Sequence, residues 1–258
     1  MSRVRLLNIE VDNLTMEEAL DTIDELIQRN TPSFAVTPNV DHIVQIENGG
    51  ALAEIYKKAD LVLTDGKPLI YISRLFHTPI KEKVSGSDLF PLLCERAAAR
   101  GYRVFFLGAA DGVAEMAAEK LKARISGLQI SGIYSPKIGF ENSPEEVDNI
   151  INRIKAARPH ILIVSLGCPK QEIFINEHLE EMEVPFSIGL GASIDFESGI
   201  VKRAPRWMRN IGLEWLHRIF QDPKRLVKRY LVDDRKIVPI YFKYKKLYRK
   251  EKANRENS

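Results

Sequence analysis

Four short stretches of this chain carry side chains able to do chemistry, and each follows an apolar run. Asp65 and Gly66 end the run Leu61-Val62-Leu63-Thr64; Thr37 and Asn39 follow Ser33 to Val36; Gly108 to Gly112 follows Val104 to Leu107; Gly167 to Gln171 follows Ile161 to Leu166. A carboxylate such as Asp65 can remove a proton from a hydroxyl as a new bond forms. The plainer reading makes Asp65 the cap of the helix Lys67 to Phe76, accepting backbone N–H bonds; both stand at this point. The turn Gly108-Ala-Ala-Asp-Gly112 can present backbone N–H groups to a phosphate at a helix start, although it lacks a full G-x-G-x-x-G and also reads as a tight strand-to-helix turn. Gln171 can serve as an ordinary first-turn residue or offer its amide to a substrate hydroxyl or carbonyl.

The elements that must position these groups alternate. Arg3 to Val11 reads as a strand, and Thr15-Met16-Glu17-Glu18 is a capping box opening an amphipathic helix to Arg29. A helix from Val40 to Lys58 is broken near Gly49-Gly50, and a polar loop at residues 84–88 leads into a helix ending at Arg100. After the Val104 strand and its helix to about Ile125 come a strand over Leu128 to Ile133 and a helix opened by Ser143-Pro144. A strand over Phe186 to Leu190 is closed by Gly191-Ala-Ser193. Such alternation with short connections makes an α/β fold whose largely parallel sheet is covered on both faces, and the strand ends then meet at one edge and form one crevice.

The division we expect is a catalytic unit over residues 1–198 and an appendage over 199–258. The appendage holds 18 of the 38 Lys and Arg but only 6 of the 35 Asp and Glu, a balance of +12, which leaves −9 on the rest. Its apolar residues, Trp207, Met208, Ile211, Trp215, Leu216, Ile219 and Phe220, recur at helical spacing up to Pro223. Beyond Pro239, Ile240 to Tyr248 interleaves aromatics with lysines. Helices of this kind lie in a headgroup plane with lysine and arginine against anionic lipid, or pack on a body with a solvated basic face.

Other classes find no support. G-x-x-x-x-G-K-[ST], H-E-x-x-H, G-x-S-x-G and Asp-x-Asp are all absent. The five histidines and the two cysteines, Cys94 and Cys168, make no metal-ligand spacing, so no metal or cofactor is expected and a reducing cytoplasm fits. The N-terminal stretch lacks a signal-peptide core, and no run of about 18 uncharged apolar residues would span a membrane.

Taken together, Thr37-Pro-Asn39-Val-Asp-His42, Thr64-Asp-Gly66, Gly86-Ser87-Asp88, Leu166-Gly-Cys-Pro-Lys-Gln-Glu172 and Arg203-Ala-Pro-Arg-Trp207 with Gly212-Leu-Glu-Trp215 and Arg218 resemble the WecG/TagA/CpsF glycosyltransferases. The resemblance runs through nearly the whole chain in order. It implies a Rossmann-like, metal-independent, inverting enzyme that moves N-acetylmannosamine, or its uronic acid, from UDP to undecaprenyl-diphosphate-linked N-acetylglucosamine. In the TagA branch this builds the linkage unit of wall teichoic acid through a β-1,4 bond. By motif, Asp65 is then the general base, and Thr37, Asn39 and Gln171 are polar residues of the active site. Arg218, Arg225 and Lys228 fall where the family sets basic groups over the diphosphate. Lys83, Ser87, Gly108 and Asp195 are expected to bind substrate. Lys83 departs from the family pattern, which has arginine there; lysine keeps the charge and loses the bidentate fork.

The implied location is cytoplasmic, peripheral on the inner face of the plasma membrane, with an anionic membrane surface as partner. Self-association through Val40 to Lys58 or the appendage is a further expectation; a nucleic-acid partner is not. Two rivals rest on single features: an NAD-dependent oxidoreductase on the Gly108 turn, although Gln129 to Tyr134 offers no acid for a ribose, and a basic nucleic-acid binder on the appendage.

Overall fold

A computed structural model describes residues 3–256, excepting the side chains of residues 210, 225, 252, 253, 255 and 256. The strands are β1 (Arg3–Leu6), β2 (Ile9–Asp12), β3 (Phe34–Val36), β4 (Leu61–Val62), β5 (Arg103–Gly108), β6 (Gln129–Tyr134), β7 (Ile161–Ser165) and β8 (Phe186–Gly189). The helices of the first 198 residues are α1 (Met16–Arg29), α2 (Val40–Glu47), α3 (Ala51–Lys58), α4 (Lys67–Leu75), α5 (Gly86–Arg100), α6 (Val113–Arg124), α7 (Pro144–Ala157), α8 (Lys170–Met182) and α9 (Ser193–Ser198). Then follow α10 (Arg206–Asn210), α11 (Glu214–Gln221), α12 (Pro223–Lys228), a π-helical turn over Arg229–Asp233, a 3-10 turn over Asp234–Lys236, and α13 (Ile237–Glu256).

Six strands form one sheet in the order β4-β3-β8-β7-β5-β6, and each neighbouring pair is parallel. Apolar residues alternate between its faces. In β7, Leu162 and Val164 join the core under α2, α7 and α8, while Ile161 and Ile163 join the one under α1, α5 and α6. Both faces are covered, so these strands read in sequence as unbroken apolar runs. The expected α/β, Rossmann-like architecture is present.

Local differences have physical causes. The single strand expected over Arg3 to Val11 is a two-stranded antiparallel hairpin outside the main sheet, turned at Leu7, whose φ is 56°. Leu7 is fully buried, and that burial holds a non-glycine residue in the left-handed region. The loop expected at residues 84–88 is already helical from Gly86, so Ser87 and Asp88 sit in the first turn of α5. The capping box of α1 is formed, with Thr15 and Glu18 each satisfying the other's backbone.

The appendage is more broken than its spacing suggests. Pro223 opens α12 instead of only ending a helix, and α13 lies against the body. Ile240 is buried, Tyr241 and Tyr248 both pack on Phe76, and the Tyr248 hydroxyl donates to the Arg5 carbonyl at 2.7 Å. The tyrosines of the aromatic–lysine stretch thus serve the core. Most exposed large apolar side chains of the appendage precede that stretch, at Trp207, Ile211, Phe220, Leu231, Val232 and Val238 among others, while Phe242 is exposed within it. No helix among the described residues is long and apolar enough to cross a membrane.

Candidate active site

The chain leaves β3 into α2 on one face of the sheet and leaves the adjacent β8 into α9 on the other. Such a reversal opens a crevice beyond the carboxyl ends of the strands. A cleft of about 480 Å³ occupies it, a volume in the usual range for small-ligand sites. Its floor comes from the ends of β3, β4, β7 and β8: Thr37 and Asn39, Asp65 and Gly66, Gly167 and Cys168, and Leu190 to Ser193. Its outer wall comes from the appendage, with Arg209, Glu214, Trp215, Arg218, Arg229 and Asp234.

Asp65 does not cap α4. The N-cap of that helix is Gly66, at φ 97°, with no side-chain cap bond. The Asp65 N–H donates to the Pro38 carbonyl at 2.8 Å, which fixes the backbone while the side chain borders the cleft. Its burial raises the carboxyl pKa to about 6, with Lys83 and Arg218 pulling it down and Glu214 and Asp88 pushing it up. A carboxylate desolvated to this degree is a stronger base than one in water, and still ionised at neutral pH.

Around Asp88 the arrangement is the opposite. Lys83 Nζ donates to Asp88 Oδ2 at 2.5 Å and to Ser85 Oγ at 2.7 Å; Arg203 donates to Asp88 Oδ1 at 2.8 Å and to Ser87 Oγ at 3.0 Å. Arg209 lies 3.5 Å from the same Oδ1. Burial alone would raise this acid, but the hydrogen bonds from Lys83, Ser85 and Arg203 outweigh it and hold Asp88 well below the usual carboxylate range. Three cations about one anion leave net positive charge, and Lys83 and Arg209 present it to the cleft, with Ser87 beside them.

The other expected residues divide. Asn39 lines the cleft, but its Oδ1 caps α2 by accepting from Asp41 and His42, so only its NH₂ half is outside the cap. Thr37 lines it too, with its hydroxyl donating to the Gly189 carbonyl at 3.3 Å. Gln171 is buried with both ends of its amide used: Oε1 accepts from Gly191 N at 3.1 Å and Nε2 donates to Glu172 Oε1 at 2.8 Å. Its amide therefore steadies the turn after β8. Arg218 reaches the cleft with its guanidinium 5.6 Å from the centroid of Phe196.

Gly108, Asp195 and Lys228 are not among the residues bordering the cleft. β5 stands beyond β7, away from the reversal point, and at Gly108 an added Cβ would lie 2.4 Å from the Ser165 carbonyl oxygen. That glycine allows the close packing of two strands. The Arg225 side chain lies outside the described residues.

Sequence reasoning did not single out Arg209, Arg229 or Asp234. Arg229 pairs with Asp41 at 3.1 Å, joining the π-helical turn to α2. Burial raises Asp234 to about 6, against the pull of Arg229 and with the push of Asp41. In sequence Arg209 and Arg229 read as parts of a solvated basic face, and nothing in the spacing marks the three that turn inward.

Comparison with known proteins agrees with this arrangement. Over 199 residues the chain is 33% identical to an N-acetylglucosaminyldiphosphoundecaprenol N-acetyl-beta-D-mannosaminyltransferase of Bacillus spizizenii, covering 77% of this chain and 75% of that protein. A protein of the same name from Staphylococcus aureus (strain MW2) is 28% identical over 257 residues, 99% of this chain and 94% of its own length. The profile of the glycosyl transferase WecG/TagA/CpsF family matches residues 4–251. With a match across nearly its whole length, this chain belongs to the WecG/TagA/CpsF glycosyl transferase family.

Proposed function

We propose that the protein transfers N-acetylmannosamine from its UDP conjugate to undecaprenyl-diphosphate-linked N-acetylglucosamine, with inversion, forming the β-1,4 bond of a wall teichoic acid linkage unit. The observation that carries this reading is the desolvated carboxylate of Asp65, at a strand end on the floor of a cleft whose rim is cationic. Asp65 takes the proton of the acceptor hydroxyl as that oxygen attacks the sugar carbon. The bond to UDP breaks, and the charge gathering on the β-phosphate is met by Arg218 with Lys83 and Arg209. Arg225 and Lys228, basic by motif, extend this supply along the appendage. Cations in place of a divalent ion make the reaction metal-independent. The uronic acid donor is the second reading, and the same cationic rim would suit its carboxylate.

The appendage, from about residue 199 onward, serves in this proposal both to complete the site and to bring it to the anionic inner face of the plasma membrane, where the lipid acceptor lies. Support comes from its +12 balance and from exposed Trp207, Ile211, Phe220 and Leu231.

Turnover of UDP-N-acetylmannosamine with a lipid-diphosphate N-acetylglucosamine acceptor in EDTA tests the reaction. Product formation supports it; loss of turnover on chelation, or transfer from the uronic acid donor alone, refutes its metal or donor assignment. Co-sedimentation with anionic and neutral vesicles tests the docking: equal binding to both would remove the electrostatic part.

A further inference from the structure

Beside the cleft, a second group of side chains meets that the transfer reaction does not use. His42, from the first turn of α2, Cys168, from the turn after β7, and Glu172, from the first turn of α8, each offer a ligand atom, and these atoms lie within 4.8 Å of one another. His42 and Glu172 are only 3% and 2% exposed. Buried carboxylate oxygens ordinarily have partners, yet Glu172 Oε2 has none among the described residues. Its other oxygen accepts from Gln171, so the unpartnered oxygen is held in a fixed position.

We propose that His42, Cys168 and Glu172 form a binding site for a soft divalent transition metal, of which zinc is the best match, separate from the chemistry of transfer.

The donor set is one imidazole, one thiolate and one carboxylate, a combination that zinc accepts and that magnesium and calcium do not favour. Zinc bonds of about 2.0 to 2.3 Å put tetrahedral ligand atoms roughly 3.3 to 3.7 Å apart. Closing the group from 4.8 Å asks for a movement of about 1 Å, within reach of side-chain rotation at the partly buried Cys168.

The surroundings supply what such sites need next. Tyr56 OH is hydrogen-bonded to His42 Nδ1 at 2.5 Å, which orients the ring and leaves Nε2 for a metal. Gln45 Nε2 lies 3.5 Å from Cys168 Sγ as a donor to sulfur. Three protein ligands leave a fourth position, and since His42 and Cys168 both border the cleft, that position opens towards it. On binding, the thiol gives its proton to solvent and the sulfur–metal bond replaces it. Glu172 holds Gln171, and Gln171 holds the Gly191 N–H. A bound ion therefore grips the same chain of contacts that sets the floor of the transferase cleft, and stoichiometric zinc is expected to slow turnover.

The test titrates the full-length protein, freed of metal, with cobalt(II) and follows thiolate-to-cobalt absorption in the near ultraviolet. One equivalent should produce the band, and one equivalent of zinc should remove it. Cys168→Ser should abolish the band, Glu172→Gln should weaken cobalt binding at least tenfold, and Cys94→Ala should leave both unchanged. Because a variant in this turn can perturb folding, the unaltered protein gives a second readout: zinc should slow alkylation of Cys168 at least tenfold. A missing band, a band that survives Cys168→Ser, or an alkylation rate indifferent to zinc would overturn the site. These readouts need no sugar substrate, so they stand or fall apart from the proposed transfer.

Discussion

Asp65 and Asp88 are the same residue type and have opposite chemistry: Asp65 borders the cleft, whereas Asp88 stands behind it and holds Lys83 and Arg209, which border it. Asp65 is desolvated without a hydrogen-bonded cation among the described residues, and its pKa rises to about 6. Asp88 is desolvated too, but Lys83, Ser85 and Arg203 close on it and its pKa falls. Burial makes a base of a carboxylate only when its neighbours leave it a free lone pair; otherwise it becomes an anchor that gathers charge for something else. Here the anchor gathers cations from two regions, Lys83 from the body and Arg203 and Arg209 from the appendage. Asp88 is thus one of the points at which the basic appendage is fastened to an acidic body, beside the Arg229–Asp41 pair.

If the two carboxylates differ in this way, their replacements should differ in kind. Asp65→Asn should lower kcat by about 10² to 10⁴-fold, the range for a lost general base, with little change in donor affinity; steady-state kinetics alongside calorimetric UDP-sugar binding measure both. An unaltered kcat would end the distinction. Arg218→Ala should cost about 10²-fold in kcat/KM by removing a cation from the departing diphosphate. It should also raise the Asp65 pKa further, since Arg218 pulls it down, and a pH–rate profile of the variant reads that shift.

Asp88→Asn should act mainly through KM, raising it for the donor by about tenfold, the size of one lost charge-assisted contact. A loss confined to kcat would make Asp88 part of the chemistry and collapse the contrast. The smallest effect is in the pH profile of the unaltered protein. A base works only when deprotonated, so turnover should be halved near pH 6 and fall below it, whereas an unperturbed aspartate would hold activity down to about pH 4. Asp88 should add no limb in that window: its lowered pKa keeps the cluster charged, and its stabilising contribution is lost only as pH falls below the ordinary carboxylate range.

Much of this was legible in the chain. Apolar runs alternating with amphipathic segments gave the parallel sheet, since strands buried on both faces show no other pattern. Asp65, Thr37 and Asn39 were legible because they follow strands directly, and in a parallel sheet strand ends share an edge. Gly108 satisfied the same rule and does not border the cleft, because the rule is silent about strand order. β5 lies beyond β7, and sequence adjacency cannot reveal that. Tyr241, Tyr244 and Tyr248 beside lysines allowed either a lipid-facing belt or packing on the body; Tyr241 and Tyr248 pack on Phe76, and Tyr244 donates to Glu47 at 3.2 Å. An amphipathic face shows that something covers it and not what.

What the sequence determined by itself was the α/β class, the charge divided between body and appendage, and the family, because these reside in periodicity, composition and ordered motifs. Tertiary structure alone decided which arginines turn into the cleft, which of two aspartates has no hydrogen-bonded cation among the described residues, and that His42, Cys168 and Glu172 meet across more than 120 residues. Those outcomes depend on desolvation and on distances between segments remote in the chain, and neither quantity is carried by any stretch of residues read alone.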